Sequence, residues 1–305
     1  MAGGQERILR RRIRSVQATR KTTHAMELIA GSRIVKAQSR IVAARPYVEG
    51  LDRLAANLSN APGASSHPLV GEPEPGTGAA VVAIAGDRGL SGPYNPSVLR
   101  RTETVVDEYT SAGRRPLLLG VGKRAQSYLR FQGRHVDESF TGMTDMPTWE
   151  DAEKIAAAVL SAHQDGRIAS ADIVSFRFRS VGYQRVEHRK LFPLEQAGGV
   201  PFDYESEPAV EDLITLLLPR LVEARVYLAL LEAAASEHAA RQRAMKAATD
   251  NADELVKNLR RVMNRVRQES ITTEIMDIVG GAEALRHSAG RGLPSLRDAP
   301  DQGAA

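Results

Sequence analysis

Apolar residues recur in steps of four and three at both ends of this chain. Near the start, Ala30, Ile34, Ala37, Ile41, Ala44, Val48, Leu51, Ala55 and Leu58 follow that alternation. The mean step is about 3.5 residues, the spacing of a left-handed coiled-coil seam. Projected backwards, the register falls on Leu9, Ile13 and Val16, and between them and Ala30 on Arg20, Thr23 and Glu27. The spacing predicts one helix over roughly residues 4–58, about 80 Å long. Pro46 lies inside it and removes a backbone hydrogen bond, so a kink or frayed turn is expected there. A second seam runs through Leu217, Leu221, Ala224, Leu228, Leu231, Ala235, His238, Gln242, Met245, Thr249, Ala252, Val256, Leu259, Met263 and Val266. It predicts a helix over roughly 209–286, about 115 Å long. Pro219 is expected to break its first turns, and Gly280–Gly281 to loosen or cap its end. The two helices can pair with each other as an antiparallel hairpin, or each with another chain.

The middle of the chain reads differently. Residues 59–78 are rich in Pro, Gly and Ser and read as a linker. Short apolar runs at 79–85 and 116–121 read as strands, with a weaker exposed strand at 135–139. Helical spacing covers 96–112, 123–131 and 148–164, with Thr148 as cap and Asp151 near the third helical position. Two β-rich runs, 172–181 and 185–193, are close enough to pair. Strands alternating with helices predict an α/β sheet. The expected fold is therefore α/β: an antiparallel coiled coil of long N- and C-terminal helices with an inserted Rossmann-like α/β domain. Its expected parts are a coiled-coil helix (1–58), a linker (59–78), an α/β domain (79–207), a second coiled-coil helix (208–287) and a flexible tail (288–305).

Composition supports the seams. Among 305 residues only 5% are aromatic while 42% are hydrophobic, so the apolar content is mostly Ala, Leu, Val and Ile. The absence of cysteine removes disulfides, thiolate metal sites and Cys nucleophiles. No apolar run approaches the roughly 20 residues of a membrane span. Charged residues follow Gly3–Gly4 at once, so no signal peptide is expected. The net charge of +4 conceals an asymmetry. Residues 1–45 carry eleven basic side chains against Glu6 and Glu27, and the remainder is acidic on balance. Such a basic arm suits nucleic acid, an anionic surface or an acidic protein partner.

Candidate chemistry is sparse. Gly86-Asp87-Arg88-Gly89-Leu90-Ser91-Gly92 follows the first strand, where a glycine-rich loop can cradle phosphate. The spacing is not the dinucleotide fingerprint, and Asp87 would set a negative charge beside the phosphate. Gly122-Lys123-Arg124 lacks the phosphate-loop spacing. The seven histidines have no HExxH pair. Ser91 lacks a nucleophile elbow. No cofactor, metal or catalytic residue is expected.

Several segments resemble one known family, the gamma subunit of F-type ATP synthase. They are Ile13-Arg14-Ser15-Val16 with Thr22 to Ala30, Lys36-Ala37-Gln38, Arg45-Pro46-Tyr47, Asp87 to Asn95, Arg243 to Ala252, and Ile271 to Ala282. Departures are His24 where lysine is usual, Thr273 where glutamine is usual, and Ser91 in a cysteine position. The resemblance implies a non-catalytic rotor stalk, one copy per complex, coupling proton-driven rotation of the membrane c-ring to ATP synthesis in the beta subunits. It implies alpha and beta subunits (an alpha3beta3 hexamer), an epsilon subunit and the c-ring as partners, no nucleic acid, and a peripheral place on the cytoplasmic side of a bacterial plasma membrane. Carried over by position, Arg267, Gln268 and Thr272 match the catch on a beta loop, and Met26, Arg241 and Glu274 match coupling positions. The alternative left open is a basic coiled-coil protein that binds nucleic acid or an anionic surface.

Overall fold

The computed structural model describes residues 2–61, 64, 69–70, 78–194, 207 and 210–290. Ten elements follow in chain order: α1 (Ala2–Ser59), β1 (Ala79–Ile84), α2 (Tyr94–Ser111), β2 (Pro116–Val121), α3 (Lys123–Phe131), β3 (Glu138–Phe140), α4 (Trp149–Gln164), β4 (Ser170–Ser180), β5 (Tyr183–Phe192) and α5 (Val210–Gly290). They form two compact units, Met1–Thr22 with Thr249–Ala305, and Thr23–Ala248. Both α1 and α5 contribute to each unit. Most of the expected linker 59–78, and all but the first three residues of the expected tail 288–305, lie outside the described residues.

In the unit Thr23–Ala248 the sheet order is β3-β2-β1-β4-β5. β1 pairs in parallel with β2 and β4, and β2 in parallel with β3. β5 returns antiparallel to β4 through a tight hairpin. All six residues of β1 are buried, as a central parallel strand covered on both faces requires. One face packs Val81, Leu118 and Val174 against Val98, Val105 and Val106 of α2. Ile84, Leu119, Val121 and Ile173 belong instead to the main core, which joins α1, α4 and α5. Thr148 caps α4 and Asp151 closes the capping box, as the sequence predicts. The weak strand is shorter than expected, three residues beginning at Glu138.

The predicted seam of α1 is the buried stripe of this unit, from Ala30 at 1% exposure through Ile34, Ile41 and Val48 to Leu58. α1 and α5 run antiparallel here: Gly31 lies beside Gln242, and Asp52 pairs with Arg225. Periodicity predicts one apolar stripe on α5, whereas residues 228–239 are buried on every side. The alanines at 229, 233–235 and 239 are small enough for neighbours to approach closely from all directions. The helices also pass their prolines. α1 is unbroken at Pro46 and α5 at Pro219, and α5 continues through Gly280–Gly281. The expected frayed turn, break and loosened end are therefore corrected: at Pro46 and Pro219 packing of the flanking turns outweighs one missing backbone bond, while the helix runs through the exposed Gly280–Gly281 without such packing. Within the expected linker, Ala61, Ala64, Leu69 and Val70 are buried, and Val70 bridges to Leu194.

The other unit holds the first turns of α1 against α5. Ile13, Val256 and Leu259 form its buried cluster, flanked by Leu9, Val16 and Met263. Arg20 pairs with Asp253 at 2.5 Å, again in antiparallel order. From Arg267 to His287 every residue but Ser270 is exposed. The apolar register also changes there. Continuing the seam past Val266 would fall on Ser270, Thr273, Asp277 and Ala284, but the large apolar residues include Ile271, Ile278 and Leu285, each offset by one, and Ile275, offset by two.

Candidate functional site

The loop that follows β1 is a fixed structural joint. Asn95, at the start of α2, accepts from Gly86 N at 2.7 Å and donates to the Arg88 carbonyl at 3.2 Å and Ser91 Oγ at 3.3 Å. Asp87 accepts from Lys123 N at 3.1 Å, Gly142 N at 2.9 Å and both donors of Thr144. Lys123 is the first residue of α3, so the carboxylate sits at a helix N-terminus, where a phosphate would otherwise be held. Burial by itself would raise the Asp87 carboxyl, but the combined hydrogen bonds from Gly142, Lys123 and Thr144 prevail and hold it below its ordinary value. The glycine-rich loop thus supplies its own anion.

The same loop docks on α5 through buried charges. Glu237 is 3% exposed and paired with Arg241 one turn on. Arg241 also donates to the Gly89 carbonyl at 3.4 Å. A Cβ on Gly86 would stand 2.7 Å from the Glu237 carboxylate, so any larger residue would have to push that side chain aside. Burial raises the Glu237 carboxyl, and Arg241 opposes that rise only in part. His238 Nε2 lies 3.3 Å from the Asp145 carbonyl, and its Nδ1 lies 3.4 Å from Arg241 Nη1. A neutral ring protonated on Nε2 satisfies both contacts. Burial lowers the His238 pKa, and Arg241 and Arg33 add to that, against a raising contribution from Asp145. Arg33 of α1 pairs with both Asp145 oxygens. Among the described residues no group of acidic or histidine side chains could hold a metal ion. No described helix is long and apolar enough to cross a membrane.

Two of the six residues singled out by resemblance come together here. Met26 and Arg241 line one cleft of about 270 Å³, with Arg33, Arg88, Leu90 and His238 around them. The other four lie on the uncovered stretch of α5 in the other unit. Arg267 and Glu274, seven apart, share one side of that helix, and Gln268 and Thr272, four apart, share an adjoining side. Thr272 Oγ1 donates to the Gln268 carbonyl at 2.9 Å, and Ser270 Oγ to Glu274 at 3.3 Å. Sequence reasoning missed Glu237, Asp145 and the Asn95 bracket. Their signal was present in part: Glu232, Ser236, Glu237 and His238 interrupt the most apolar run of α5. The basic arm is partly neutralised within the chain, because Arg10, Arg20, Arg33 and Arg45 all face carboxylates.

Residues 5–285 match the protein family described as ATP synthase. The ATP synthase gamma chain of Parafrankia sp. (strain EAN1pec) is 45% identical over 298 residues, covering 94% of this chain and 99% of that one. The chain belongs to the ATP synthase gamma-chain family. The gamma chain of Mycolicibacterium smegmatis is likewise 45% identical, covering 92% of this chain and 98% of its own. Among solved structures, a chain of the Euglena gracilis mitochondrial ATP synthase, described as OSCP/F1/c-ring in rotational state 3, shares the fold. Its TM-score is 0.63 at 17% identity, over 97% of this chain and 99% of that chain. The central stalk/c-ring structure of the Tetrahymena thermophila mitochondrial ATP synthase gives 0.56 at 22% identity, over 74% and 99%. As a gamma chain it is a non-catalytic part of the central stalk, and the catalytic sites of the enzyme lie in the beta subunits. It belongs to a membrane-associated ATP synthase complex.

Proposed function

We propose that the chain is the shaft through which c-ring rotation, driven by proton flow, reaches the beta subunits of an alpha3beta3 hexamer. One copy serves each complex, on the cytoplasmic side of a bacterial plasma membrane. In this reading the coiled-coil segments 1–58 and 208–287 form the shaft, and the α/β segment 79–207 meets the epsilon subunit and the c-ring. Segments 59–78 and 288–305 serve as linker and tail. Arg267, Gln268 and Thr272 serve as the catch on a beta loop. Met26, Arg241 and Glu274 act in coupling. The observation that carries the reading is a helix whose last two dozen described residues leave Ile271, Ile275, Met276, Ile278 and Val279 exposed among the described residues. A long apolar exposure of this kind marks a surface made for another protein. The shifted register there supports a partner other than α1.

Affinity purification of a tagged chain from its own cells tests the reading. Alpha, beta and epsilon subunits should be recovered together with ATPase activity, while the isolated chain should show no turnover. Recovery of nucleic acid in place of those subunits would support the basic-arm alternative and sink the rotor reading.

A further inference from the structure

A cation-lined cleft opens where α1, β4, β5 and α5 converge in the unit Thr23–Ala248. Arg45, Arg177, Arg189, Lys190 and Arg225 border a space of about 250 Å³, against Glu49 and Asp52. Asp52 is committed to Arg225 at 2.8 Å. Behind the wall stands Glu232, fully buried, with Arg189 at 3.3 Å, Arg45 at 3.8 Å and Arg177 at 3.9 Å. A single carboxylate cannot neutralise three guanidinium groups. Glu187 adds a second carboxylate 3.5 Å from Arg177, but Arg185 holds it more closely, at 2.6 Å. These four arginines therefore exceed their two acids by two charges.

The hydrogen bonding is incomplete in the same place. Arg189 Nε and Glu232 Oε1 are both buried and make no hydrogen bond. Arg45 and Arg177 stand beyond hydrogen-bond reach of Glu232, so their donors are not used up on it. The orphaned Arg189 Nε donor and the surplus positive charge are costly unless an anion completes them, whereas Glu232 Oε1 is an acceptor that no anion completes. Guanidinium forks on separate elements suit a compact oxyanion with several acceptor oxygens. Size narrows the class further. Pockets for ordinary organic ligands begin near about 300 Å³, and this one is about 250 Å³.

We propose that this cleft binds a phosphate-class anion, inorganic phosphate or a diphosphate group, through Arg45, Arg177 and Arg189. The site does not depend on the rotor reading, because Arg45, Arg177 and Arg189 are not among the catch and coupling residues that reading names.

Isothermal titration of the full chain with inorganic phosphate, pyrophosphate and ADP, at constant ionic strength, tests it. Pyrophosphate should bind at one site per chain. Arg45→Gln should weaken that binding at least about tenfold, the loss of one or two charge-assisted hydrogen bonds. The Arg45 side chain is 43% exposed, so this variant should keep its circular dichroism and melting profile. Arg177→Gln, at 37% exposure, gives a second reading of the same loss. ADP binding with the same sensitivity would place the diphosphate on a nucleotide; pyrophosphate binding alone would assign a free anion. No saturable heat up to about 10 mM pyrophosphate, or unchanged affinity in both variants, overturns the site. Binding of a polyglutamate peptide without any response to pyrophosphate would mark a protein-docking face and overturn it too.

Discussion

Asp87 shows how one side chain decides what a loop does. Its sequence context, glycines after a strand, suits phosphate, and the charge argues against it. The deciding fact is a contact made across 36 residues, the backbone N–H of Lys123 at the start of α3. No local pattern carries that information, so sequence could exclude the phosphate without saying what replaced it. Asp87→Asn should lower stability by about 1–3 kcal/mol at neutral pH, because the new amide directs an N–H toward groups that all donate. The pH dependence follows from the depressed carboxyl. The unfolded carboxyl titrates near its ordinary value of 3.8 and the folded one below it. The contribution is therefore present above the unfolded value and lost as pH falls through the folded one. Denaturant melts of both proteins should diverge above about pH 4 and converge below it. A constant difference across that range would refute the assignment.

Among elements, the long helices were the most legible. A 3.5-residue alternation sustained over many turns is the mark of helices packed side by side, and the buried positions of α1 from Ala30 to Leu58 follow it. β1, β2 and the capped start of α4 were legible for similar local reasons. The full enclosure of α5 around residues 228–239 was not. It arises when one helix is covered both by its coiled-coil partner and by a sheet, and periodicity reports only the first. For the same reason the burial of Glu232 and Glu237 was invisible: both lie off the seam and would face solvent in a simple two-helix coil. The prolines were misjudged because propensity is local and packing is not. α1 runs through Pro46 on an exposed side, where the ring costs backbone bonding without filling any core. Pro46→Ala should therefore raise unfolding stability by about 1–3 kcal/mol in denaturant melts. An unchanged or lower midpoint would mean that the ring's restriction of the unfolded chain outweighs its cost in the helix.

At the scale of the whole molecule, charge and exposed apolar surface are placed where the fold itself does not need them. The first 45 residues carry a large positive excess, yet among the described residues only part of it meets carboxylates of the same chain. The end of α5 exposes Ile278 to 72% and Leu285 to 71%, in a stripe that has left the seam facing α1. A chain selected only for its own stability would not keep such residues in water. In the proposed rotor reading they are presented to other subunits. Ile278→Asp separates the two demands. A substitution at so exposed a position should change the stability of the isolated chain by no more than about 0.5 kcal/mol. In that reading the same change sets a carboxylate at an apolar contact, and burying that charge without a partner is costly. Co-purified alpha and beta subunits should therefore fall severalfold while the chain's melting temperature stays put. Undiminished recovery of both subunits would show that this stripe is not their contact, and a lowered melting temperature would show that it packs within the chain after all.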